Sequence, residues 1–305
     1  MSNTRLINKF ESAERGPLII FIGALHGNEL TGAKAIYRVF EAIEQNDIPF
    51  KGKIIGLLGN TAAIHAERRF LDYDMNRCWT EENIQGLTNR SNGDLGVEDK
   101  EVLDLLNLIE EESEGDYTEK ILVDLHATSS DKGNFVIIPQ DESTVHMVKV
   151  LKLPIVLDLD KYLKGTLLKF MHDRGFISFA FEGGLIGSQK AVELHTSGIW
   201  ELLFASGNIE RQHGGEFSRH DQIIEDMITD YPHLVKVKYM HWVERTDRFK
   251  MKPGYYNFQP ISKGELLASD RNGNIESPCD GLIFMPLYQN SGNEGFFVVE
   301  EANTP

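Results

Sequence analysis

Four strings in this sequence hold residues of a kind and spacing that can do chemistry. In Gly23-Ala-Leu-His26-Gly-Asn-Glu29-Leu-Thr-Gly32, His26 and Glu29 lie three residues apart on a turn that Gly27 permits, so both can reach one cation. In Ile121-Leu-Val-Asp124-Leu-His126, the two-residue period of a strand puts Asp124 and His126 on the same side, and the carboxylate can fix a ligand's tautomer or pair with an arginine. Two histidines at strand ends plus one carboxylate make up the three-ligand His₂Glu set of a catalytic zinc that keeps a fourth position open. Phe179-Ala-Phe181-Glu182-Gly183-Gly184 ends a buried run on a carboxylate. Beside a metal, Glu182 can take a proton from an attacking water and pass it to a leaving nitrogen; the structural alternative is a turn or capping glutamate. In Glu67-Arg68-Arg69-Phe70-Leu-Asp72-Tyr-Asp74-Met-Asn76-Arg77, the arginines can hold a carboxylate or a developing oxyanion, or simply pair at the surface with Asp72 and Asp74.

These strings need a scaffold that brings them to one place. Between Leu18 and Glu182, short runs that are apolar at nearly every position alternate with amphipathic stretches. The runs are Leu18 to Ile22, Lys53 to Leu58, Ile121 to Leu125, Phe135 to Ile138, Ile155 to Leu159 and Ile177 to Phe181. Continuous apolarity is the mark of strands covered on both faces. Helices are expected over Glu29 to Gln45, Val97 to Glu112, Val145 to Leu151 and Gln189 to Ala205, with Leu103, Leu106 and Glu110 marking a 3 to 4 spacing in the second. The result is an α/β fold with a mostly parallel or mixed sheet and helices on both faces, and in such sheets ligands sit beyond the carboxyl ends of the strands. After about residue 212 the runs shorten and each begins at a turn residue, as in Val235 to Tyr239, Gly254-Tyr-Tyr-Asn-Phe, Gly264-Glu-Leu-Leu, Gly281 to Met285 and Gly295 to Val299. We expect residues 1–212 to form a catalytic domain and 213–305 a small antiparallel β domain. The acidic stretch Glu110 to Asp116 reads as a solvated helix end and loop.

Composition narrows the function classes. The chain has 305 residues, 41% hydrophobic and 26% charged, with a net charge of −16, so nucleic acid and anionic membranes are disfavoured as partners. Two distant cysteines, Cys78 and Cys279, exclude a disulfide framework. With no signal-length or membrane-length apolar segment, the expected location is the cytoplasm. His65, His146, His172, His195, His213, His220, His233 and His241 fall on no metal spacing and are expected at the surface or in helix packing. The glycines near Gly183 and Gly214 lack the phosphate-loop pattern.

The order and approximate spacing of His26-Gly-Asn-Glu29, Arg69-Phe-Leu-Asp-Tyr-Asp-Met-Asn76-Arg77, Asp124-Leu-His126 and Phe181-Glu182-Gly-Gly resemble the succinylglutamate desuccinylase and aspartoacylase family, a branch of the zinc carboxypeptidase-like hydrolases. The likeness covers about residues 17 to 210, and the run Ala-Thr-Ser-Ser after His126 is closer to aspartoacylase. It implies one zinc per chain held by His26, Glu29 and His126, with Glu182 as general base. It further implies that Arg69 polarises the scissile carbonyl and that Asn76 and Arg77 grip the carboxylate of a small anionic N-acyl amino acid. The implied fold is an α/β catalytic domain followed by a small β domain. The sequence departs from the pattern twice. Aspartoacylases place an arginine about ten residues before the base to select an acidic side chain, where this chain has His172, with Arg174 two residues on. The tyrosine of the terminal β domain is replaced in Asn293-Glu294-Gly-Phe296-Phe297, leaving Tyr255, Tyr256 or Tyr288 to reach the pocket from elsewhere. The leading expectation is hydrolysis of an amide in a small N-acyl amino acid. The alternatives are a zinc carboxypeptidase or esterase on a related acyl substrate, and a non-catalytic small-molecule binding protein. Homo-oligomers stay open.

Overall fold

In the computed structural model, the described residues are 4–128, 132–139, 141–219, 224, 231–288 and 292–302. His220, and Ser129 and Ser130 of the run after His126, lie outside them. The first half of the chain runs β1 (Leu6–Glu11), β2 (Leu18–Gly23), α1 (Thr31–Gln45), β3 (Lys53–Leu58), α2 (Thr61–His65), α3 (Glu81–Thr88), α4 (Val97–Glu112) and β4 (Lys120–Thr128). It continues with β5 (Phe135–Ile137), α5 (Glu142–Val148), β6 (Ile155–Leu157), α6 (Leu167–His172), β7 (Ile177–Leu185) and α7 (Gln189–Ala205). The remaining strands are β8 (Leu234–Trp242), β9 (Lys250–Met251), β10 (Gln259–Ile261), β11 (Leu266–Asp270), β12 (Gly273–Glu276), β13 (Gly281–Phe284) and β14 (Glu294–Glu301).

Eleven strands join in one mixed sheet, in the order β1-β3-β2-β4-β7-β5-β6-β8-β14-β13-β10. Its centre, β3-β2-β4-β7, is parallel, while β1 and β5 run antiparallel to β3 and β7. The expected mixed α/β sheet with helices on both faces is present. Strand β2 shows why its sequence is apolar throughout: Ile19 and Phe21 enter one core with α1 and α7, and Leu18, Ile20 and Ile22 enter the other with α4 and α6. The C-terminal strands are antiparallel to one another, and β8 joins them to the main sheet by pairing parallel with β6. A three-stranded sheet, β12-β11-β9, packs beside them. No helix of the described residues is long and apolar enough to cross a membrane.

Three local expectations shift. The buried face of α4 is Val102, Leu105, Leu106 and Ile109, so Leu103 and Glu110 stand outside it. Glu112 is buried and paired with Lys53 (2.6 Å) and Lys9 (2.7 Å), an exception within the acidic stretch. Gly254-Tyr-Tyr-Asn-Phe is a turn segment: the Tyr255 N–H donates to the Tyr288 hydroxyl instead of to a strand carbonyl, and the Tyr255 hydroxyl donates to Glu265 and to the Leu266 carbonyl of β11.

Candidate metal centre at the strand ends

The four strings meet at the carboxyl ends of β2, β4 and β7. After Gly23, the chain turns through His26 to Glu29, closed by a Glu29 N–H to His26 C=O bond of 3.0 Å, before α1 begins. Gly27 is required here, since a Cβ would stand 2.3 Å from the Ala63 carbonyl carbon. Its N–H donates to the Arg69 carbonyl (3.0 Å), tying the turn to the arginine loop. Register places His126 of β4 directly beside Glu182 of β7.

His26, Glu29 and His126 are 4%, 2% and 4% exposed, and one ligand atom from each lies within 4.8 Å of the other two. Both rings turn Nδ1 toward Glu29: His26 Nδ1 is 2.9 Å from Oε1 and His126 Nδ1 is 3.0 Å from Oε2. The Nε2 atoms face outward to carboxylates, His126 to Asp124 (2.7 Å) and His26 to Asp74 (3.1 Å). This is the carboxylate–histidine arrangement that fixes the tautomer of a metal ligand. Arg69 Nη2 also lies 2.9 Å from His26 Nε2; a guanidinium only donates, so with Nε2–H given to Asp74, Arg69 pairs with the same carboxylate at 3.4 Å. Asp124 thus sits as the sequence implies, and Asp74 is a second buttress that the sequence reading left among the surface pairs.

The donor set fits a divalent cation. Two imidazole nitrogens and one carboxylate are the ligand types zinc takes at catalytic sites. His26 Nδ1 is close to Glu29 but out of line for a hydrogen bond, so this buried nitrogen has no hydrogen-bond partner. Burial opposes ionisation of Glu29, yet His26, His126 and Arg69 around it hold its carboxyl well below the usual range. Burial likewise works against a charged His126, but Asp124 and Glu29 carry it well above the ordinary histidine value. An Asp124→Asn variant keeps the shape and loses the charge behind His126; zinc affinity measured by competition with a chelator is expected to fall about 10–100-fold.

Glu182 faces the same pocket. Burial pushes its carboxyl up to about 7, and Oε2 has no hydrogen-bond partner. Gly183 follows because His195 packs beneath: a Cβ there would stand 2.3 Å from His195 Nε2. His195 is fully buried, bonds the Phe181 carbonyl at 3.2 Å and is pushed down to about 4 by burial, so it is a neutral packing residue of α7.

The arginine loop is clamped from outside the site. Glu98, fully buried at the start of α4, accepts from Leu71 N–H (2.7 Å), Asp72 N–H (2.8 Å) and Asn60 Nδ2 (3.1 Å). Arg69 Nη1 donates to Glu29 Oε1 at 2.7 Å. Asn76 turns Oδ1 to the Leu167 N–H (2.9 Å) and leaves Nδ2 3.5 Å from His126 Nε2. Arg77 reaches across to Glu294 at the start of β14 through Nε and Nη2, both 3.1 Å from Oε1.

The pocket above the cluster takes part of its lining from the C-terminal segment, including Asn257, Met285 and Glu294. Asn257 locks this wall by donating to the Gly133 carbonyl (3.0 Å) and accepting from Met285 N–H (2.8 Å). Neither Asn257 nor Glu294 stands out in the sequence as a site residue, since only long-range pairing brings them here. Arg174 points away, bonded to Glu81 (2.5 Å) and lying over Phe170, and His172 lies 3.8 Å from Asp141. No tyrosine is among the described residues that line the pocket. Tyr255 bonds Glu265, and Tyr288 bonds the backbone of Lys252 and Tyr255.

Fold and site together define an α/β protein with a His-Glu-His cluster at the strand ends. Residues 15–190 match the model of the succinylglutamate desuccinylase/aspartoacylase catalytic domain, and the chain belongs to that family. Among curated relatives, it is 28% identical over 120 residues to a probable aspartoacylase of Nostoc sp. and 29% identical over 136 residues to an N-acyl-aromatic-L-amino acid amidohydrolase (carboxylate-forming) A of Danio rerio. These alignments span 39% and 44% of this chain and 38% and 40% of the relatives. Among solved structures, a succinylglutamate desuccinylase/aspartoacylase from Rhodobacter sphaeroides superposes with a TM-score of 0.68 at 18% identity, covering 95% of this chain and 87% of that one.

Proposed function

We propose that this chain is a zinc-dependent hydrolase that cleaves the amide of a small anionic N-acyl amino acid, giving a carboxylate and an amine. The observation that carries the reading is the convergence of His26, Glu29 and His126 in one buried cluster with the Glu182 carboxyl beside it in register. One zinc held there would supply an electrophile for the scissile carbonyl and make a water molecule more acidic. Glu182 takes the proton of the attacking water and returns it to the amide nitrogen as the carbon–nitrogen bond breaks. Arg69, held by Glu29 and Asp74 at the rim of the cluster, stabilises negative charge on the former carbonyl oxygen. Asn76 and Arg77 take the substrate carboxylate, which competes with Glu294 for the Arg77 guanidinium.

A pocket walled by residues from the C-terminal segment favours a small substrate over a long peptide, and so amide deacylation over carboxypeptidase action. The reading includes a functional division at residue 212, with 1–212 carrying the cluster and 213–305 the far wall, and a cytoplasmic location. The test is metal content of the purified protein coupled to amine release from N-acyl amino acids. About one zinc per chain with chelator-sensitive turnover is expected; no zinc uptake on reconstitution would overturn the ligand assignment. Zinc without turnover on any amide or ester would favour a binding protein.

A further inference from the structure

Beyond the reacting atoms, the pocket is hydrocarbon on one side, and its described lining holds no lysine or arginine besides Arg69 and Arg77. Ile137 of β5 and Ala180 of β7 are register partners, and Ala180 lies on the same face of β7 as Glu182, two residues on. The apolar wall therefore begins directly beside the proposed base. It continues through Leu159, Leu163 and Leu168, which bury themselves with Ile137 and Ala180 in one cluster, and closes with Met285 and Leu287 from the C-terminal segment.

The charges around this wall are already matched. Arg69 and Arg77 are the only lysine or arginine residues among the described residues that line the pocket. Arg69 is held by Glu29 and Asp74, and Arg77 by Glu294. Arg174 is engaged with Glu81 outside the pocket. One substrate carboxylate can take Arg77, but a second placed against the apolar wall would have Glu182 and Glu294 nearby and no further lysine or arginine among the described lining residues. Burying a carboxylate without a partner is strongly unfavourable.

Resting on the hydrolase reading, we propose that this subsite takes an uncharged hydrocarbon group and that the substrate carries a single carboxylate, unlike an N-acyl aspartate or glutamate. The hydrocarbon can come from the amino-acid side chain or from the acyl chain, and the test separates the two. With zinc-reconstituted full-length protein, kcat/KM is measured for N-acetylleucine and N-acetylphenylalanine, for N-butyrylglycine and N-hexanoylglycine, and for N-acetylaspartate, N-acetylglutamate and N-succinylglutamate. One hydrocarbon arm is expected to exceed every acidic substrate at least tenfold, with a gain of roughly fourfold per buried methylene along its series. Met285→Arg, at the half-buried edge of the wall, is expected to move the preference at least tenfold toward the acidic substrates, whereas Met285→Gln should not. Calorimetric binding of hexanoate against glutarate is the measurement independent of turnover and of the variants, with the monocarboxylate expected to bind more tightly. Acidic substrates turned over as fast as the hydrocarbon ones, or glutarate bound as tightly as hexanoate, would overturn the subsite. If no amide is hydrolysed, the hydrolase reading fails, and the two carboxylates still decide the subsite.

Discussion

Glu182→Gln is expected to lower kcat by about 10²–10⁴-fold while zinc content stays at the wild-type level. Glutamine keeps the volume and one carbonyl oxygen but cannot accept the proton of the attacking water. The effect should fall on kcat more than on KM, because the carboxyl is not among the three cluster residues and the carboxylate-binding groups Asn76 and Arg77 are untouched. Folding should survive the change, since burial disfavours the charged form of Glu182, pushing its carboxyl up to about 7, and Oε2 has no hydrogen-bond partner to lose. The acid limb of the pH profile provides a second readout. A base works only when deprotonated, so kcat/KM should rise as pH increases through the Glu182 titration, from an apo value of about 7 that a bound cation would lower. In the variant that limb should disappear. A Glu182→Gln enzyme within threefold of wild type would remove the residue from the mechanism, and unchanged zinc with lost turnover would separate its role from ligation.

Much of the scaffold could be read from the sequence because its central strands are buried on both faces, which leaves apolar runs such as Leu18 to Ile22 and, but for Asp124, Ile121 to Leu125. Where each run stops at a histidine or carboxylate, strand-end geometry predicts a site, and His26, His126 and Glu182 are indeed gathered there. What could not be read depends on contacts between distant segments. Strand β1 lies at the sheet edge and alternates partly exposed positions, so it leaves no apolar run. The Asp74 buttress and the Glu98 clamp look like ordinary surface acids until the loop carrying Arg69 folds back onto α4. Glu294 is separated from Arg77 by most of the chain, and only the pairing of β14 within the extended sheet brings them together. The shift in the buried face of α4 has a similar origin. Leu103 and Leu106 satisfy helical spacing, but the sheet above selects the stripe through Val102, Leu105 and Ile109.

Loss of the ligand carboxylate should have the larger consequence for the site as a whole. Glu29→Ala is expected to abolish stoichiometric zinc and bring turnover to background, because Glu29 is the group on which the cluster is centred. Its Oε1 lies 2.9 Å from His26 Nδ1 and 2.7 Å from Arg69 Nη1; its Oε2 lies 3.0 Å from both His126 Nδ1 and the Ala127 N–H. Alanine removes the negative charge facing two histidines and a guanidinium, so the remaining positive groups oppose a cation. The loss of affinity should exceed the ~10–100-fold expected when only a buttress such as Asp124 is changed. Thermal unfolding with and without zinc reads this separately from catalysis. A metal that binds only the folded chain stabilises it by about 2.7 kcal/mol at 100 times its Kd, a rise of roughly 5 °C for a chain of this size. Wild type should show that rise and Glu29→Ala should not, whereas Glu182→Gln should respond like wild type. A wild-type midpoint indifferent to zinc, or a Glu29→Ala protein that still holds one zinc per chain, would mean that the His-Glu-His cluster is a buried hydrogen-bond network and the metal, if any, binds elsewhere.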